Sequence, residues 1–355
     1  MIMDRLIKNN KSKFVWLLVF GLFLSLCFAY GIIKQNNATL VVEAANNIYL
    51  PSRQDFRIVV ISDLNSQYGS TEYEPEVEQA IALMTQWQPD LVLCGGDMIA
   101  GQKTSLTKSQ IDAMWQAFDR HISAPLQQQQ IPFGFTIGNH DGSGAIKNNS
   151  LIFQQERDLA QNYWLKHQGQ LGLNLIDSEN FPFYYSFQQN DIFFIVLDAS
   201  THIISQQQLT WAKQALNSNV AQQAKTKIAI GHLPLYPVAA AKNKPGEYLA
   251  KGEEMRSLLE QNDVQVYISG HHHVYYPGKK GDLELLHAGA LGQGARQLIN
   301  SDLLPAPTIT IIDLETAISK LTYTTYNAKT WELITLKQLP SSITGEHGTI
   351  MRRDL

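Results

Sequence analysis

The sequence predicts an α/β fold, and three observations carry that expectation. From Asp55 onward, apolar runs of strand length alternate with stretches of helical length and mixed polarity. Two strand-like runs near residues 183 and 192 lie next to each other, which implies a hairpin. Several strands also end at a small residue followed by Asp, Asn or His, and in α/β sheets sites gather beyond the carboxyl ends of the strands.

The strand candidates in chain order are "FRIVVIS" (56–62), "DLVLCGG" (90–96), "FGFTIG" (133–138), "FYYSF" (183–187), "IFFIVLD" (192–198), "KIAIGH" (227–232), "VQVYISG" (264–270) and "LELLHAG" (283–289). The continuous apolar run Ile58 to Ile61 is that of a strand covered on both faces. Helices are expected over 74–88, 108–128, 150–168, 205–219 and 247–262, with Pro75 in a first turn and Pro89 at a helix end. "QQQQ" at 127–130 reads as a solvated helix end, and the polar tail after about residue 340 as disordered.

The chain has 355 residues, 44% of them hydrophobic, and a formal net charge of -4, an ordinary composition for a globular protein with a large core. There is no basic footprint of the kind nucleic-acid binding leaves, and no obvious protein partner. Cys27 and Cys94 are the only cysteines, so no disulfide framework is available. Arg5, Lys8, Lys11 and Lys13 precede "FVWLLVFGLFLSLCFAYGII" (14–33), a charge-free run long enough to span a bilayer core. The expectation is an uncleaved transmembrane anchor, with a signal segment cleaved after Gly31 or Ala44 as the alternative. The basic head would stay in the cytoplasm and send the body across, to a periplasmic or extracellular position.

Asp63 and Asn65 follow the first strand, Asp97 the second, and "GNHD" (Asn139, His140, Asp141) the third. His232 follows "IAIG", and His271, His272 and His273 follow "VYIS". Singly these are weak signals. Asp63 alone is a turn former, Asn139 a turn or cap residue, and His232 a packed histidine. Five strands delivering oxygen and imidazole ligands to one edge make a metal centre the economical reading. In an extended segment residues i and i+2 point to the same side, which would pair Asp63 with Asn65 and His271 with His273, turning His272 away. Gly95, Gly96, Gly138 and Gly270 would relieve crowding where backbone passes close to the site.

In order, D-x-N, G-D, G-N-H-D, G-H and G-H-x-H resemble the five blocks of the calcineurin-like metallophosphoesterases, over roughly residues 56 to 314. The resemblance implies a two-sheet β-sandwich flanked by helices and a dinuclear metal site. Matched block by block, the first ion would take Asp63, Asp97 and His273, with Asn65 as a partner. The second would take Asp97, Asn139, His232 and His271, with Asp97 bridging. His140 would face the substrate, oriented by Asp141. The first block departs from the usual D-x-H, because Asn65 stands where a histidine is common. Purple acid phosphatases, a branch of the family, also lack that histidine but place a tyrosine three residues after the second-block aspartate, where this chain has Ala100. On this reading the chain divides into a basic head (1–13), an anchor or signal segment (14–33), a linker (34–54), a metallophosphoesterase domain (55–340) and a polar tail (341–355).

Two divalent ions about 3.5–4 Å apart hold a shared water, lower its pKa and clamp phosphoryl oxygens, and mixed Asp, Asn and His ligation suits Mn, Fe, Zn or Co. The expected activity is phosphoester hydrolysis with His140 as general acid. The alternative is a metal-binding or scaffold protein with an impaired first metal site. His202 and Arg296 follow strands and read as phosphate contacts or satisfied loop residues, and His287 as a core histidine. "GHLPLYP", with Pro234, Tyr236 and Pro237, would wall the pocket, and Tyr275 with Tyr276 would stack on a nucleobase or cover the metal site.

Overall fold

The computed structural model describes residues 48–355; the basic head, the run at 14–33 expected to be an anchor or signal, and most of the linker lie outside them. Among the described residues, no helix is long and apolar enough to cross a membrane. The unit Tyr49–Leu355 is built on two mixed sheets.

The five-stranded sheet centres on Phe56–Ile61, all of whose residues are buried. That strand pairs in parallel with Leu91–Cys94 and antiparallel with Thr308–Glu315, so that Ile58 stands between Leu91 and Ile312. Phe133–Phe135 extends the parallel side. Arg57 and Asp313 form a buried ion pair at 2.9 Å across the antiparallel register, and Arg57 also donates to the carbonyls of Trp87 and Pro51. Residues 49–54, assigned to the linker, are therefore tied to the body, with Arg53 paired to Asp90 as well.

The nine-stranded sheet carries Ile192–Val196, Thr226–Ile230, Val266–Ser269 and Leu283–Ala288 in parallel, flanked by antiparallel strands. The hairpin expected near 183 and 192 is present as Tyr185–Gln189 with Ile192–Val196. The two sheets face each other: Tyr185 donates to the Phe135 carbonyl at 2.6 Å and Thr136 to that of Leu197 at 2.8 Å. Phe187 packs over Gly134, where a side chain would collide with its ring.

Helix Pro75–Trp87 starts on its proline and buries Val77, Ala80, Ile81, Met84 and Trp87, one stripe at helical spacing. Lys108–Phe118 opens with a capping box between Thr107 and Gln110. The expected helix over 108–128 widens into a π-helical stretch at Asp119–Ser123, just before Pro125, whose missing N–H breaks the regular ladder. The helix expected from 247 begins instead at Gly252, and the residues before it turn along the cavity described below.

The C-terminal stretch departs most from expectation. Ser342–Gly345 and Gly348–Arg352 form a hairpin that pairs with Tyr275–Lys280 and closes that edge of the large sheet. Its alternation buries Ile343 and Ile350, and Arg353 pairs with Glu284 at 2.8 Å. A short pattern with two buried positions is easily lost among the polar residues around it.

Candidate metal centre

The parallel strands deliver their C-terminal ends to one place, and the chain leaves each by a turn. Asp63, Asp97, His271 and His273 all adopt left-handed backbone, with φ of 51°, 56°, 64° and 53°. Such conformations cost about 1–3 kcal/mol each for residues with a side chain and persist only where the surroundings fix them. Here backbone bonds do so: Asp63 N–H reaches the Gly96 carbonyl at 2.9 Å, Gly292 N–H the Asp63 carbonyl at 2.8 Å, and Arg296 N–H the His273 carbonyl at 3.0 Å. The i, i+2 argument from an extended strand therefore does not hold, because the strands stop at Ile61 and Ser269. The histidine side chains still converge, by turn geometry, and His272 does turn away: its ring bonds to the Val238 and Ala239 N–H groups and the Glu247 carbonyl. Glycine is required at two positions, since a Cβ on Gly138 would strike Asp97 and one on Gly270 would strike Ser62 and Asp63.

Asp63, Asp97 and His232 are buried and bring donor atoms within 4.8 Å of one another. His273 Nε2 lies 3.2 Å from Asp63 Oδ1. His232 Nε2 lies 3.2 Å from Asp97 Oδ2 and 2.9 Å from Asn139 Oδ1, and His271 Nδ1 lies 2.8 Å from the same amide oxygen. The opposite nitrogens are held from outside. His232 Nδ1 donates to the Gly95 carbonyl at 2.7 Å, His273 Nδ1 to that of Gly294 at 3.0 Å, and His271 Nε2 to the Glu247 carboxylate at 2.9 Å. A neutral imidazole has one N–H, so each inward nitrogen presents a lone pair to an oxygen lone pair. A cation between them turns that repulsion into ligation, and outward acceptors of this kind are how proteins orient metal-binding histidines. The residues fit a metal ion.

At His232 a proton would also relieve that repulsion: burial pushes its imidazole down, but the Asp97 carboxylate outweighs this and lifts it to about 9. Asp97 is pushed up by burial yet held far below the usual carboxylate range by His232 and His140. Burial and the neighbouring His232 push His271 well below its ordinary value, so its Nδ1 lone pair stays free.

Asn65 is buried, and its backbone bonds to the Asp97 carbonyl and the Gln293 N–H. Its side chain makes no hydrogen bond to the other candidate ligands, in contrast to Asn139, whose amide is aimed by a 2.8 Å bond from its Nδ2 to Gln102 Oε1.

The role expected of Asp141 changes. Its carboxylate accepts the N–H groups of Asp97, Met98, Ile99 and Gly138 at 2.7–3.0 Å and does not touch the His140 ring. Consecutive residues of a helical turn do not face each other, and Asn139–Gly142 is such a turn. Burial and the Asp97 charge push the Asp141 carboxyl up to about 7 against these donors. His140 is oriented instead by the Gly101 carbonyl, 3.0 Å from its Nδ1, while Tyr68 covers its ring at 5.1 Å.

The centre opens into a cavity of about 790 Å³. His202, Arg296 and Arg157 line it, and Arg157 is already paired to Asp198 at 2.7 Å. Arg296 has no ion-pair partner among the described residues and reaches the His271 carbonyl at 3.5 Å. Tyr275 and Tyr276 are buried in a strand, so neither is free to stack on a base. Of "GHLPLYP", Leu233 lines the cavity while Tyr236 is fully buried, and Lys242 with Pro245–Glu247 supplies more of the wall. His287 is a core histidine, as expected. Sequence reasoning missed Glu247, Lys242, Gln102, Tyr68 and Glu156; the last accepts the Gln102 and Lys103 N–H groups and so holds the loop after Gly101. None of these stands in a local pattern with the residue it serves.

Residues 56–275 match the family profile described as calcineurin-like phosphoesterase. No curated protein matches the chain. Among solved structures, it is similar to the purple acid phosphatase PPD1 from yellow lupin (Lupinus luteus) seeds, at 16% identity and TM-score 0.58, over 81% of this chain and 54% of that one. The chain thus spans about half the length of the lupin protein, and the likeness is one of fold. It is also similar to GAP50, the anchor in the inner membrane complex of Plasmodium, at 15% identity and TM-score 0.46 over 79% and 87% of the two chains. A putative 5'-nucleotidase from Staphylococcus aureus gives 15% identity and TM-score 0.39, over 76% and 52%.

Proposed function

The chain belongs to the calcineurin-like phosphoesterase family, and from that premise we propose that it is a metal-dependent phosphoester hydrolase working with two divalent ions outside the cytoplasm. The observation that carries this reading is the set of three imidazoles whose outward nitrogens are tied off, leaving each inward nitrogen against an Asp or Asn oxygen. Asp63, Asp97 and His273, with Asn65 beside them, would hold one ion; Asp97, Asn139, His232 and His271 the other. When bound, the ions supply a water of lowered pKa and charge for the phosphoryl oxygens.

The remaining work falls to the chain. As the imidazolium, His140 holds its Nδ1–H on the Gly101 carbonyl and presents Nε2–H to the cavity, 3.9 Å from Asp97 Oδ2; the Nε2 proton passes to the leaving alkoxide and leaves the neutral ring. The Arg296 guanidinium offers paired donors to phosphate oxygens. Tyr68 packs against the His140 ring, with ring centroids 5.1 Å apart.

The test is chelation of the full chain followed by titration with Mn, reading bound metal and hydrolysis of an aryl phosphate together. The expected result is two equivalents of metal and turnover that returns with them. Metal uptake without turnover of aryl mono- or diesters would favour the scaffold reading instead. The location rests on the basic head and the charge-free run 14–33. Protease added to intact cells, after any outer envelope is opened, should digest the body; full protection would reverse the orientation.

A further inference from the structure

The rim of the cavity is unusual for a site built on carboxylates and imidazoles. Ile146, on the short hairpin Ile146–Lys147/Ser150–Leu151, and Ile203, on the loop after Ile192–Val196, both line it and are 67% and 63% exposed. Beyond Ile203 lies a second cavity of about 270 Å³ with Ile204, Leu209, Leu249 and Met255 in its walls. His202 and Ile203 line both cavities, so the second adjoins the first across these two residues. It is built and held: Ala250 N–H donates to the His202 carbonyl and Leu249 N–H to that of Pro234, both at 2.9 Å. Its charged residues, Lys251 and Glu254, pair with each other at 2.9 Å and leave no free charge for a polar ligand.

Resting on the phosphoesterase reading of the first cavity, we infer that the second cavity is a substrate subsite for an apolar ester group. The substrate class is a phosphoester with a hydrocarbon chain on one side of the phosphorus. The phosphoryl group sits at the Asp and His cluster, and the chain crosses Ile203 into the pocket lined by Leu209, Leu249 and Met255. Water already wets the exposed isoleucines, and a chain laid over them removes that apolar surface from solvent.

The experiment uses metal-loaded full chain with p-nitrophenyl alkyl phosphodiesters from methyl to octyl, each below its micelle concentration, and calorimetry with methyl and octyl phosphonate. Burying one methylene is worth about three- to fourfold in affinity. kcat/KM should therefore rise by about that factor per carbon until the pocket fills, and octyl phosphonate should bind more tightly than methyl phosphonate by at least tenfold. Ile203→Asp, at an exposed position, and Leu209→Asp should flatten both series. Equal values along the wild-type series, or a slope that survives both substitutions, overturns the subsite. If no ester is turned over while chain-dependent phosphonate binding persists, the hydrolase reading fails and the subsite stands.

Discussion

Glu247 accepts the outward N–H of His271 at 2.9 Å and is itself gripped by Lys242 through the same oxygen at 2.6 Å. The carboxylate takes the Nε2–H and so fixes the tautomer in which Nδ1, facing Asn139 and the cluster, carries the lone pair. Removing a partner of this kind typically costs 10–100-fold in metal affinity. Glu247→Ala should show a loss in that range at one of two sites when stripped protein is titrated by calorimetry. Glu247→Gln keeps an acceptor and should lose less; equal binding in all three proteins would show that His271 is oriented by something else.

His140 and Asp141 are neighbours in sequence with separate roles. His140→Ala should keep its metal and lose about 10²–10⁴-fold in turnover, more for alkyl than aryl leaving groups, since only the former need the proton badly. An equal loss for both would remove His140 from the acid role. Asp141→Asn exchanges a carboxylate for an amide with a single acceptor oxygen beneath four N–H groups. The expected cost is on the order of 2–4 kcal/mol in urea unfolding, with weaker metal binding through Asp97. Unchanged stability would mean that the Asp97 loop holds itself.

If Asp97 bridges two ions as proposed, Asp97→Asn should release both, whereas His232→Ala should empty only the second site. In wild type the first ion should bind more loosely than the second, since an amide oxygen is a poorer donor than imidazole for Zn or Fe. Asn65→His should tighten that first site and reduce the need for added metal. Two equally tight sites in the wild type, or no change on substitution, would count against Asn65 as the weak point.

Deleting residues 341–355 should expose the Tyr275–Lys280 edge and uncover the contacts of Ile343, Ile350 and Arg353. Unpaired edges recruit other chains. The shortened protein should melt lower and scatter light at concentrations where the full chain stays clear; an unchanged melting midpoint would make the hairpin an ornament of the sheet.

Five strands and the polar groups just past them are legible along the chain. An apolar run covered on both faces and a candidate ligand two to four residues beyond it are both local, so Asp63, Asp97, Asn139, His232, His271 and His273 were legible as a set. Even the gap at Asn65 is a sequence fact. How those groups are aimed is a property of the folded chain. Left-handed turns, fixed by backbone bonds from segments as distant as Gly292 and Arg296, replace the strand alternation that spacing suggested. Glu247 reaches His271 from a loop 24 residues away, and Gln102 reaches Asn139 from 37. Asp141, read as a partner of its neighbour His140, binds instead the backbone of a loop more than forty residues upstream. A hydrogen bond between distant segments leaves no periodicity in either, so the candidate ligands could be read along the chain while the partners that orient them could not.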